Sequence, residues 1–103
     1  MEKGVIFIGE KPFMNYVTSA VMKFTNDGMN EVTIKARGKW ISRAVDVAEV
    51  AAKRFLIDRV AVSSIKIDSE QFVNRENKNV RVSTIEILVT RVPEKPKAPE
   101  QKA

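Results

Sequence analysis

"EVTIKARGKWISRAVDVAEVAAKRF", residues 31–55, changes its period halfway along. Up to Arg37 it alternates, with Val32, Ile34 and Ala36 on one side and Thr33, Lys35 and Arg37 on the other, the pattern of a strand with one buried face. Gly38 punctuates. Beyond it, Ile41, Ala44, Val45, Ala48, Ala52 and Phe55 recur at helical steps, which predicts a helix from about Lys39 to Phe55. Trp40, Val47 and Val50 widen its apolar arc past the ~100° that one buried face requires. Such a helix has to bury two sides, one on a sheet and the other against a second subunit.

The flanks extend the same alternation of elements. "VIFI" (5–8) is a short apolar run closed by Gly9, as in a strand buried on both faces. Phe13, Tyr16, Val17, Ala20, Val21 and Phe24 then follow a helical period, with Pro12 at the first helical position and Gly28 at the stop. Downstream, Val60 and Val62 alternate, slip at Ser63-Ser64 and resume at Ile65 and Ile67. Val80 and Val82 do the same around Ser83-Thr84 before Ile85, Ile87 and Val89. Pairing position 62 with 85, 65 with 82 and 67 with 80 sets the two slips opposite each other. That register predicts a ribbon that packs at its base, turns its other face outward, and ends in an arm carrying "DSEQFVNRENKN" (68–79). "PEKPKAPEQKA" (93–103) has the composition of a disordered tail. The expected fold is therefore α/β: a single two-layer domain over residues 1–92 in the order β-α-β-α-β-β. It has a mixed four-stranded sheet, two helices and a protruding C-terminal β-hairpin arm.

At 103 residues the chain has room for one ordinary domain. Lys and Arg number 18 against 13 Asp and Glu, a net charge of +5, so polyanions are the natural partners, either nucleic acid or an anionic membrane. No apolar run approaches the ~18 residues that span a bilayer, and the N-terminus lacks a signal-peptide core; a soluble, intracellular protein is expected. The absence of cysteine removes disulfides, thiolate nucleophiles and Cys-type zinc sites, and the absence of histidine removes the commonest general base. No GxxxxGK or GxGxxG motif occurs. Asp46 and Glu49 are three apart and could hold a metal, but Arg43 and Lys53 stand at ion-pairing distance, the stronger reading. No catalytic residue, metal or cofactor is expected.

The charge is concentrated. "KARGKWISR" (35–43) carries Lys35, Arg37, Lys39 and Arg43, with no acid between residues 32 and 45. Lys35 and Arg37 share a strand face, while Lys39 and Arg43 are a helical turn apart at a helix start whose free N–H groups favour phosphate. "GEKPFMNY" (9–16) repeats the arrangement, with Lys11 where a capping residue would stand. If the first two strands are neighbours, both helix starts lie at one sheet edge, where open α/β sheets bind ligands. In the register above, Lys66 faces Arg81, a like-charge pair that an anion would relieve. The arm's tip adds Arg75 and Lys78 among Asn74, Asn77 and Asn79. Each of these stretches also has a plain reading as a solvated connection or loop. Trp40 is either a stacking platform or an interface residue, the latter preferred.

"IGEKPFMNYV", "EVTIKARGKWISRAVDVAEVAAKRFL" and "VRVSTIEILV" resemble the Alba proteins, small basic archaeal chromatin proteins with RNA-binding relatives. The resemblance runs from Val5 to Val89. It implies a homodimer, or a heterodimer with a paralogue, that binds double-stranded DNA with little sequence preference, binds RNA as well, and coats the chromosome (nucleoid) in the cytoplasm. It places Lys11, Asn15, Tyr16, Arg37, Lys39 and Arg43 at the nucleic acid, the arms along the minor groove, and Phe55 at a contact between dimers. Where many members carry two adjacent lysines before the proline, this chain has Glu10 and Lys11. The alternative implied by the same surface is an RNA-binding accessory subunit of a ribonucleoprotein.

Overall fold

The computed structural model describes residues 3–93. The tail expected at 93–103 lies, apart from Pro93, outside the described residues. The elements are β1 (Lys3–Phe7), α1 (Phe13–Thr25), β2 (Glu31–Arg37), a 3-10 turn (Gly38–Trp40), α2 (Ile41–Val50), a π-helical turn (Ala51–Phe55), β3 (Val60–Val73) and β4 (Asn79–Arg91). The sheet order is β1-β2-β4-β3, with β1 parallel to β2 and the other pairings antiparallel. This is the expected two-layer α/β architecture.

Both helices cover one face of the sheet. Ile6 and Ile8 of the first strand segment, Val32, Ile34 and Ala36 of β2, and Ile85, Ile87 and Val89 of β4 meet Tyr16, Val17, Ala20 and Phe24 of α1 and Ala44, Val47 and Ala48 of α2. Each fully buried aliphatic here is worth about 1.5–3 kcal/mol. The first strand differs from expectation. Val5 and Phe7 are exposed, because the sheet's second face has no cover. Arg91, unremarkable in the sequence, fastens the layers: its guanidinium donates to the carbonyls of Phe24 and Met29, both at 2.8 Å, and lies over the Phe24 ring.

Two expectations about α2 fail together. Val47 was placed at an interface, but it is fully buried in the core, whereas Val45, placed in the core, is exposed. With aliphatic residues all round, the sequence permits two stripes, and the close-packing alanines select Ala44, Val47, Ala48 and Ala51. The π turn then rotates the last residues. The N–H of Leu56 donates to the carbonyl of Ala51 at 3.0 Å, five residues back, which brings Leu56 into the core and turns Phe55 outward with 52% of its surface exposed.

The β3–β4 register also corrects the sequence reading. Val62 faces Val89, Ile65 faces Ile87 and Ile67 faces Ile85, so at Val62 the partner lies four residues further on than expected. Only β3 is irregular, with a bulge between Val62 and Ser64. That bulge resets the phase instead of reversing it, so Val62, Ile65 and Ile67 all share the face of the buried β4 residues. β4 has no bulge, and Val80 and Val82 occupy its opposite face. Lys66 consequently faces Glu86, and Arg81 faces Gln71; the expected Lys66–Arg81 repulsion does not exist. The two long strands run beyond the helices as the predicted arm, giving overall dimensions of 60 × 28 × 25 Å.

Candidate nucleic-acid interface

The strand-to-helix loop at residues 9–12 is shaped by two side chains from different helices. Pro12 precedes α1 with no side-chain cap, and the first turn has no acid. Tyr16, one turn in, is buried, and its hydroxyl oxygen accepts hydrogen bonds from the N–H groups of Gly9 and Lys11, both at 3.0 Å. From α2, the Arg43 guanidinium donates to the carbonyls of Lys11 and, at 3.5 Å, Gly9. Between them these two residues fix the loop's path. Tyr16, which the resemblance places among the nucleic-acid contacts, has a buried ring, and its hydroxyl holds the backbone that carries Lys11. Arg43 turns to these carbonyls and not to Asp46. The side chains of Glu10, Lys11 and Asn15 are exposed on the outer surface.

Gly38 makes the basic turn possible. Its φ of +56° is a conformation that side-chain-bearing residues rarely adopt, and it lets the chain leave β2 and wind directly into the 3-10 turn. Trp40 therefore sits in this turn, before α2, half-buried against the core. Cations flank its ring: Lys39 Nζ lies 5.0 Å and the Arg43 guanidinium 5.5 Å from the centroid. Such pairs hold both charges at the surface while their stems and the indole stay packed.

Lys35 and Arg37 are not the unneutralised charges their local sequence implied. Lys35 lies 3.8 Å from Glu86 of β4 and over the Phe7 ring, while Arg37 pairs with Glu70 of β3 at 2.9 Å. The acids arrive from strands 33 to 51 residues away in the chain, beyond the reach of any local charge count. These pairs are exposed and worth at most about 1 kcal/mol each, so an arriving phosphate can exchange with the carboxylates. Lys35, Arg37, Lys39 and Trp40 line one groove of about 590 Å³ on the sheet's open face.

The arm's tip is an ordered turn. Asn74 Oδ1 accepts from the N–H groups of Glu76 and Lys78, at 2.9 and 3.0 Å, and Asn77 adopts φ +62°. Asn74 is thus occupied by the turn, leaving Arg75 and Lys78 exposed at the tip. Arg81 is also exposed, further back along β4.

A second surface is apolar. The helices stop short of β3, and the exposure of its aliphatic strip rises from Val62 through Ile65 to Ile67, at 76%. Val45 and Phe55 are exposed on the helical layer, and Val50 is half-buried. Among the described residues no cluster of three potential metal-ligating His, Cys, Asp or Glu side chains occurs, and Glu49 pairs with Lys53 at 2.9 Å. No helix among them is long and apolar enough to cross a membrane.

The Alba family model matches residues 4–69. The chain is 52% identical over 90 residues to the DNA/RNA-binding protein Alba of Methanocella arvoryzae, covering 87% of this chain and 92% of that one. It is 56% identical over 87 residues to the DNA/RNA-binding protein Alba of Nanoarchaeum equitans, covering 84% and 96%. Among solved structures, Alba from Thermoplasma volcanium superposes with a TM-score of 0.77 at 43% identity, over 85% of this chain and all of that one. The chain belongs to the Alba family.

Proposed function

We propose that the protein is a dimeric, sequence-independent binder of double-stranded DNA that coats and compacts the chromosome, binds RNA through the same surface, and catalyses no reaction. The observation that carries this reading is the convergence of Lys11 with the Lys39–Trp40–Arg43 stack, where one arginine braces the loop that presents the lysine. These cations sit beside two helix starts without side-chain caps, and phosphate is the anion such a site suits. Contacts from these cations to the phosphate backbone would hold the duplex without regard to sequence. Relatives named as DNA/RNA-binding proteins support both ligands. The bare strip of Val62, Ile65 and Ile67, with Val45 exposed on the helical layer, supports a dimer, formed with a second copy or a paralogue, since apolar surface of this kind is costly to leave in water. Exposed Phe55 is then available to join one dimer to the next along DNA. The two arms would extend the footprint along the minor groove through Arg75 and Lys78. The working location is the nucleoid.

The test is a competition of duplex DNA against structured RNA at matched salt. Similar affinity for duplexes of unrelated sequence supports the DNA-coating reading. A strong preference for one folded RNA would transfer the protein to the alternative role of a ribonucleoprotein subunit.

A further inference from the structure

The uncovered face of the sheet carries side chains that solvent does not explain. Strand alternation sends Ile6 and Ile8 toward the helices and so sends Phe7 the other way, where 70% of its surface is exposed. A sheet face left open to water normally reads as polar. Here Phe7 and, out on the arm, Phe72 are exposed on that face, and both line the groove that also holds Trp40. Its volume of about 590 Å³ is in the range of small-molecule sites.

We propose that this groove, resting on the nucleic-acid reading above, binds unpaired bases of single-stranded RNA or DNA by stacking them on Phe7 and its neighbouring aromatic rings. Two features select single strands over both a duplex and an apolar protein partner. First, aromatic rings alternate with charge: Lys35 Nζ lies over the Phe7 ring at 5.6 Å from its centroid and Lys39 Nζ over Trp40 at 5.0 Å, so a base that stacks on either face would displace a flexible ammonium group onto the adjoining phosphate. A partner burying apolar surface would have to desolvate those charges. Second, Glu70 and Glu86 line the same groove. Held in ion pairs by Arg37 and Lys35, their carboxylates still accept hydrogen bonds from base amino groups, which only a splayed single strand presents in full. The duplex surface at Lys11, Lys39 and the arm tip and this single-strand groove therefore meet at the basic turn.

The experiment is fluorescence anisotropy at fixed salt with an unstructured 12-nucleotide RNA and, separately, a duplex DNA, using the wild type, Phe7→Ala and Phe7→Tyr. Removing one stacking ring costs roughly 5- to 150-fold in single-strand affinity. Phe7→Ala is therefore expected to weaken the RNA at least about 5-fold, Phe7→Tyr to restore it, and both variants to hold the duplex within about 2-fold, which also shows that they fold. A wild type that binds duplex but ignores the single strand overturns this site alone, as does a Phe7→Ala variant that loses nothing or loses both ligands equally. Binding of neither ligand overturns the nucleic-acid reading, and the site with it.

Discussion

Tyr16→Phe isolates what holds the loop at residues 9–12 in place. The substitution keeps the buried ring and deletes only the oxygen that accepts from the N–H groups of Gly9 and Lys11. Stranding a buried donor costs about 1–3 kcal/mol, whereas a donor that water can reach costs far less. Both bonds are partly buried, at the edge of an exposed loop, so the two together should cost about 1–2 kcal/mol. For a domain of this size that is a fall in Tm of roughly 5–15 °C, measured at one protein concentration because the proposed dimer would make Tm depend on it. Duplex affinity should fall with it, since Lys11 is presented by the backbone that Tyr16 holds, and Lys11→Ala in the Tyr16→Phe background should then add little. A Tm within a degree of wild type, with unchanged affinity, would show that water replaces the hydroxyl and that Tyr16 does not shape the loop.

Arg37→Glu with Lys39→Glu should remove most duplex binding and leave the circular dichroism spectrum intact, because both side chains are exposed; retained affinity would reduce the turn to solvated charge. Leu56→Ala should cost about 2–5 kcal/mol in chemical denaturation, while Phe55→Ala should stay within about 1 kcal/mol and instead weaken cooperative coating of long DNA. The reverse order would mean that the π turn does not exist in solution. Glu10→Lys places a second cation beside Lys11 on the braced loop, so the log–log salt dependence of duplex binding should steepen by about one unit per subunit. An unchanged slope would put that loop off the path of the DNA.

The fold was legible where one period gives way to another. The switch at Gly38 from alternating β2 residues to the spacing of Ala44 and Ala48 marks a strand and a helix, and the run from Phe13 to Phe24 marks another helix. Register was not legible, because Val-x-Val and Ile-x-Ile recur on both strands of the arm. Pairings displaced by several residues match aliphatic to aliphatic equally well, and the bulge at Ser63 decides among them. The end of α2 was misread for a different reason: Phe55 and Leu56 are both apolar, and only the wider winding after Val50 selects Leu56 for the core. At the site, the cations were visible as a cluster. Their partners were not, since Glu70, Glu86 and the carbonyls of residues 9 and 11 come together only in the folded sheet. Nor were the two donors to the Tyr16 hydroxyl visible, the N–H groups of Gly9 and Lys11.

The central claim is that phosphate contacts without base readout hold the duplex, and the salt dependence of affinity tests it most directly. Exposed Lys11, Lys39, Arg75 and Lys78 in each subunit of the proposed dimer give a slope of log Kd against log salt of about 7 in magnitude if every one reaches a phosphate, and of several units if half do. The account predicts such a slope, the same for two duplexes of unrelated sequence. A slope near zero, or a steep preference for one of the two sequences at every salt concentration, would contradict it.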